Sequence, residues 1–403
     1  MPTPRSIRTS RPALLIATGL LCTALALLFA APAGASFGFL AKWGGPGEEV
    51  GQFNSPRGAA TDSHDNLYVA DTFNNRIQVF DLTGAFVRSF GSFGSGPGQL
   101  SAPTGVATDS NDNVYVADAN NNRIEVFDSS GAYVRAWGSF GTTDGRFEFP
   151  LDVATDSHDN VYVADMENNR IQKFDSAGVF ITKWGSFGSG SKQFNTPFDV
   201  ATDSADNVYV ADTGNNQIKV YDSSGNFIRR WGSLGSGDGQ FNSPRAVDVD
   251  NEGDVYVTDT NNGRIQVFDP AGTFLRSWGA PGSGDGQFEF ADGVTTDSRG
   301  HVYVVETFPN DRVQQFGQLP PTIPKLIASV EALGLPHGIE NSLVSKLENA
   351  QKSLEKGGTG SVCGKLGALT SELQAQLGKK IPIVPGEELL ADVLETRASL
   401  GCV

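Results

Sequence analysis

Few side chains in this 403-residue chain have the type and spacing to start chemistry. Of its four histidines, His64 and His158 occupy equivalent positions of one repeated turn, and His337 lies near the C-terminus. Three imidazoles converging on one zinc cannot be assembled from these. No cysteine falls between residues 37 and 317, which removes a thiolate nucleophile there, and no serine sits in a defensible pair with a histidine. The aspartates are more informative. The turn Asp62-Ser63-His64-Asp65-Asn66 and its equivalents offer hard oxygen ligands, yet lack the Asp-x-Asp-x-Asp-Gly clustering of a calcium loop. Asx-turn hydrogen bonding accounts for them without a metal. Asp71, Asp118, Asp165, Asp212, Asp259 and Glu306 form a second series, followed by Arg76, Arg123, Arg170, Arg264 and Arg312, with Gln217 the exception. An acid and an arginine in that fixed relation predict a buried ion pair rather than a catalytic ring. Asp152 and Asp199 are the acids that would hold a single calcium or zinc ion; otherwise no cofactor is expected.

The elements that position these residues follow from a repeat. Tyr68, Tyr115, Tyr162, Tyr209, Tyr256 and Tyr303 are each 47 residues apart, and the same period carries Trp43, Phe90, Trp137, Trp184, Trp231 and Trp278, each followed by Gly. Each unit holds four short apolar runs separated by turn residues; in the second they are Gly105–Thr108, Val114–Ala117, Arg123–Phe127 and Tyr133–Trp137. Asp65, Asp112, Asp159 and Asp206 share their position with Gly253 and Gly300, which predicts φ > 0 there. Four antiparallel strands with apolar residues on both faces describe a blade covered by its neighbours, and a radial stack of blades is a β-propeller. The sixth unit ends at Val313–Phe316, one strand short, and Phe39–Trp43 matches the missing strand. The expected fold is therefore an all-β six-bladed propeller over residues 36–317, closed by its N-terminal strand, with the Trp43-type ring packing between blades. A Pro-rich linker (318–324) leads to a small all-α module (325–403). There Ile339, Leu343, Leu347, Ala350 and Leu354 form one stripe, Val362, Leu366, Leu369, Leu373 and Leu377 a second, and Leu390, Val393, Leu394 and Leu400 a third. A shorter helix is expected over Pro324–Leu333.

Composition narrows the function classes. The formal charge is −16, with 48 Gly and 26 Phe. Such a chain is neither a polytopic membrane protein nor a disordered tail. The repeats carry nearly all of the negative charge, which disfavours nucleic acid as a partner. Arg5, Arg8 and Arg11, the apolar run Ala13–Ala31 and the pattern Pro32-Ala33-Gly34-Ala35 read as a secretory signal peptide over residues 1–35. An uncleaved anchor is the alternative, and Leu20-Leu21 before Cys22 argues against lipidation. A secreted or cell-envelope location follows, with no other membrane association.

The unit Tyr-Val-Ala-Asp followed by Asn-Asn-Arg-Ile, with the preceding Asp-Asn turn and the Gly-rich connector ending Gln-Phe-x-x-Pro, resembles the NHL repeat. The resemblance spans roughly residues 37–317 and implies the propeller fold. It leaves function open, because NHL-type propellers include protein-binding and RNA-binding modules, sensor domains and a zinc-dependent peptide-amidating lyase. Gly334-Leu335-Pro336-His337-Gly338, Asn341-Ser342-Leu343 and Lys346-Leu347 resemble the FIMAH-type helical module of secreted bacterial proteins. Its cysteine placement matches Cys363 and Cys402, implying a disulfide that would stabilise a small core by about 3–4 kcal/mol.

Repeat-to-repeat differences mark the candidate site. After the repeat proline come Arg57, Thr104, Leu151, Phe198, Arg245 and Asp292, at the channel mouth on the face of the fourth-to-first connectors and second-to-third loops. Arg57, Arg245 and Asp292 are expected to form an ion-pair network opposite an apolar arc of Leu151 and Phe198. The outer loops offer Phe73, Met166 and Phe308. The expected function is a non-catalytic scaffold for a protein, peptide or glycan. The alternative is a metal-dependent hydrolase or lyase using Asp152 and Asp199.

Overall fold

The computed structural model describes residues 37–319, 321–356, 359–400 and 402. Residues 1–35, read above as a signal peptide, lie outside the described residues. Residues 37–318 form six four-stranded antiparallel sheets. Blade 1 comprises Pro56–Thr61, Leu67–Asp71, Arg76–Phe80 and Phe86–Phe90, and the pattern repeats through blade 5. The first strand of every blade lines the axis and the fourth forms the outer edge.

Local chemistry explains each turn. Asp62 accepts the N–H groups of His64 (2.9 Å) and Asn66 (2.8 Å), an Asx arrangement that leaves Asp65 at φ 61°. Asp112, Asp159 and Asp206 share that left-handed conformation, as do Gly253 and Gly300. Between blades, Trp43 lies against the turn glycine of blade 1: a Cβ on Gly84 would fall 2.6 Å from its ring. Trp137, Trp184 and Trp231 repeat the contact at Gly178, Gly225 and Gly272. The large residue on one blade thus dictates the smallest on the next.

The second acidic series is buried and paired. Arg76 Nε donates to Asp71 at 2.7 Å, and its Nη2 donates to the connector carbonyls of Glu49 and Gln52. Blade 4, which has Gln217 in place of the arginine, compensates two residues on. Lys219 sits 2.8 Å from Asp212, both side chains fully buried, and donates to the connector carbonyls of Gly190 and Gln193. The other blades hold Gln78, Glu125, Gln172, Gln266 or Gln314 at that position.

Closure occurs as the missing strand requires. Phe37–Gly44 pairs antiparallel with Arg312–Gln318, from Phe37 opposite Gln318 to Gly44 opposite Arg312, with a bulge between Phe39 and Ala41. Phe37 packs on Trp278, and Trp43 on Phe80 and Tyr303. The strand is longer than its apolar run suggests because Phe37 has that aromatic partner.

Four helices follow: α1 (Ile323–Ala332), α2 (His337–Leu354), α3 (Thr359–Gln376) and α4 (Ile383–Ser399). Leu326, Val330, Leu343, Leu347, Leu366 and Leu373 form their core. The last helix begins earlier than its stripe indicates, and Leu389 rather than Leu390 is buried with Val393, while Leu394 is exposed. Cys363 and Cys402 are bridged. Among the described residues no helix is long and apolar enough to cross a membrane.

Candidate functional site

At the turn-face end of the axial channel, threonine hydroxyls link the first strands. Thr108 donates to the Thr61 carbonyl (2.7 Å), Thr155 to Thr108 (2.6 Å), Thr202 to Thr155 (2.7 Å) and Thr61 to Thr296 (2.8 Å). Blade 5 has Val249 at this position, and Thr296 donates instead to the Asp248 carboxylate at 2.8 Å. Deeper in the channel, Asp152 and Asp199 share their repeat position with Gly58, Gly105, Ala246 and Gly293. The glycines make room: a Cβ on Gly105 would fall 2.2 Å from Asp152 Oδ1.

Asp152 and Asp199 are brought within hydrogen-bonding reach of each other. Asp152 also accepts the Val200 N–H at 3.0 Å, and Asp199 the Val247 N–H at 3.4 Å. Both border the channel and are half-buried, and desolvation by the surrounding protein dominates. It pushes Asp152 up to about 7, and raises Asp199 well above the usual carboxylate range with help from the charge of Asp152. Asp248 is pushed up to about 6, again mainly by desolvation. A cavity of about 340 Å³ extends from this pair to Asp62, Asp65, Asn251, Asp297 and Ser298. Among the described residues, no lysine or arginine lines it.

A titration effect follows from these shifts. A carboxyl with a raised folded pKa contributes stability that is fully present below its unfolded value near 4 and is lost as pH rises through its folded value. Asp199→Asn should therefore raise the melting temperature by a few degrees at pH 8 and leave it unchanged at pH 4. Thermal melts across that range check the sign. Equal gains at both ends would show that the carboxyls do not titrate in this way.

At the mouth on the connector face, Arg245 pairs with Asp292, and Arg57 Nε stands 3.6 Å from the same carboxylate. The Arg245 guanidinium also lies 5.2 Å from the centre of the Phe198 ring. The charged and apolar residues are thus joined by a cation–π contact rather than set on separate arcs. Leu151 is buried, and these side chains leave a space of only about 20 Å³. The channel is narrow here, and its volume lies toward the first-to-second turns.

The connectors and second-to-third loops interlock on this face: Phe73 N–H donates to the Asn54 carbonyl, and Asn74 Nδ2 to that of Gly47. Phe73 and Phe308 are 57% and 68% exposed, and Met166 is half-buried. A further set was not singled out from sequence. Phe93, Phe140, Phe187 and Leu234, on four successive connectors, are between 64% and 74% exposed, with Pro46 and Pro281 completing the position. A repeated apolar residue suggests a packing role, but most of the surface of these four large side chains faces solvent. The legible signal is their setting, as in Ser139-Phe140-Gly141, where a glycine-rich turn gives no sheet face to bury a ring.

Two family models match the repeats. One for the NHL repeat matches residues 147–174, 194–221 and 241–268, and one described as a 6-bladed beta-propeller matches residues 59–137. No curated protein matches the chain. Among solved structures, a gluconolactonase from Xanthomonas campestris is 14% identical with a TM-score of 0.50, the match covering 66% of this chain and 87% of that one. A protein of unknown function from Bacteroides thetaiotaomicron is 16% identical with a TM-score of 0.51, covering 70% and 72%. A putative gluconolactonase is 14% identical with a TM-score of 0.50, covering 71% and 93%. At these identities the likeness is one of fold. Matched repeats, sheet order and closing strand agree: the chain carries NHL repeats in a six-bladed β-propeller, followed by a small helical region.

Proposed function

We propose that this chain is a non-catalytic binding scaffold, secreted or held at the cell envelope, whose connector face takes a protein or peptide ligand. The observation that carries the reading is the arc of Phe93, Phe140, Phe187 and Leu234, joined on the same face by Phe73 and Phe308. Large apolar side chains at this exposure contribute little to the fold, whereas aromatic anchors dominate binding energy at protein interfaces. A neutral glycan stacking on the same rings is the alternative ligand; RNA is disfavoured by the −16 charge. Affinity capture from the envelope and secretome with the full chain tests this. Phe93→Ser with Phe187→Ser should lower recovery of the captured ligand at least tenfold, with the melting temperature unchanged. If Phe198→Ala and Arg245→Ala release the ligand while the serine variant retains it, the binding site is the mouth instead.

The Asp152–Asp199 pair favours a second reading, a hydrolase or lyase acting in the axial cavity and dependent on a metal held by those carboxylates. Asp199→Asn, expected to be stabilising at pH 8, would on that reading abolish turnover of an ester and lactone panel; equal turnover in both forms removes the reading.

A further inference from the structure

At one repeat position, the third strand of each blade answers two acceptors at once. Gln78 Nε2 donates to the Gln52 carbonyl of the preceding connector at 2.7 Å and to the Asp71 carboxylate at 3.0 Å. Gln172, Gln266 and Gln314 repeat both bonds. Lys219 does the same in blade 4, with the Gln193 carbonyl and Asp212. Blade 2 breaks the series with Glu125, which has no hydrogen to give unless it binds a proton. The acceptors at the equivalent places there are the Gln99 carbonyl and the Asp118 carboxylate.

Charge sets blade 2 apart in the same way. In blades 1, 3, 5 and 6 one buried acid faces one arginine beside a neutral glutamine. In blade 4 Asp212 faces Lys219 beside the neutral Gln217, so these five buried clusters each balance. In blade 2 Arg123 stands between two fully buried carboxylates, 2.8 Å from Asp118 and 2.9 Å from Glu125 Oε1. That cluster has one negative charge too many, and a single bound proton removes it. Val116 and Ala136 flank Glu125 on the neighbouring strands, and connector residues 95–99 are uncharged. Among the described residues, Asp118 and Arg123 are therefore the charged groups that face it. Desolvation pushes the Glu125 carboxyl up to about 7, with Arg123 pulling it down and Asp118 pushing it further up.

We propose that Glu125 is a proton-operated latch on the connector of residues 91–102, holding it against blade 2 while protonated and loosening it once ionised. The protonated carboxyl supplies a hydrogen of the kind that glutamine or lysine gives in every other blade. The ionised carboxylate supplies none, repels Asp118 and competes with it for Arg123. Arg123 ties the same connector through the carbonyls of Ser95, Gly96 and Gln99, so its displacement is felt along the whole segment. Phe93 sits on this connector, and the latch would thereby control the presentation of one anchor of the exposed arc. That consequence rests on the arc being a binding surface, whereas the latch itself does not.

The test is amide hydrogen exchange of the full chain, without ligand, from acid to alkaline pH across neutrality. Exchange is read by mass spectrometry and corrected for its intrinsic pH dependence. A carboxyl whose pKa is raised in the closed connector favours closure while protonated, and that contribution is lost as pH rises through the raised value. Amides of residues 91–102 should therefore exchange about tenfold faster, after correction, on the alkaline side. Glu125→Gln should abolish this step, and it installs the residue that four other blades already carry. Gln78→Glu should create an equivalent step in residues 44–55, the connector into blade 1. No step in the parent chain, a step that survives Glu125→Gln, an equal step in residues 232–243 of the parent, or none in Gln78→Glu would each overturn the proposal.

Discussion

A chain lacking residues 36–44 is expected to lose its single cooperative melting transition and to aggregate on warming. Blade 6 would keep three strands, and Arg312–Gln318 would become an open edge with unpaired N–H and C=O groups, a template for association with another chain. The deletion also removes Trp43, which fills the space between Phe80 and Tyr303, and Phe37, which covers Trp278. Trp43 and Phe37 are half-buried, so losing each costs less than the roughly 3–5 kcal/mol of a fully buried aromatic, but the two are lost together with the hydrogen-bond ladder of the strand. Because the strand joins the two ends of the repeat array, the damage reaches every blade. Calorimetry with light scattering checks this; a truncated chain that melts like the full one would show that the ring closes without the strand.

The second large effect concerns Lys219. Lys219→Met leaves the Asp212 carboxylate fully buried without its cation. Removing one partner of a buried pair costs about 3–5 kcal/mol, enough to lower the melting temperature by roughly 10 °C. The double exchange Gln217→Arg with Lys219→Gln rebuilds the arrangement of Arg76 and Gln78 in blade 1 and should recover most of the loss. A methionine variant within a degree of the parent, or a double exchange no better than the single one, would show that Asp212 is held by other groups.

What could be read from the chain before its fold was known divides along a physical line. Relations within one blade are local in sequence, and these were legible. The turn aspartates at positive φ, the Asp71–Arg76 pair and the missing strand of blade 6 all follow from residues a few positions apart, or from the repeat's own arithmetic. Relations between blades were legible where the repeat names both partners, as in the Trp43-type packing and the Arg245–Asp292 pair, but not where they depend on how the sheets rotate against each other. The contact of Arg245 with Phe198 and the approach of His64 to Asp112 arise from that rotation. The Asp152–Asp199 pair was placed on adjacent blades by the repeat, but the hydrogen-bonding approach of the two carboxyls is a matter of geometry, with Gly105 leaving the room that Asp152 occupies. The exposed arc was hidden for another reason. Periodicity reports that a position is shared, while burial depends on what stands opposite, and most of the surface of Phe93, Phe140 and Phe187 faces solvent.

The threonine chain around the channel has a direction. In blades 1 to 4 the hydroxyl donates backwards to the preceding blade, so those units present the same plug on one side and the same socket on the other. Segments that grow by copying prefer such parts, because a duplicate inserted beside its parent finds its donors already answered. Blade 5, with Val249 and Asp248, does not obey that grammar: a second copy would delete one link and import a carboxylate needing a hydroxyl from the blade after it. The ring therefore has an expandable side and a fixed seam, and recombination of its units is better tolerated among blades 1 to 4 than across the blade 5–blade 6 boundary.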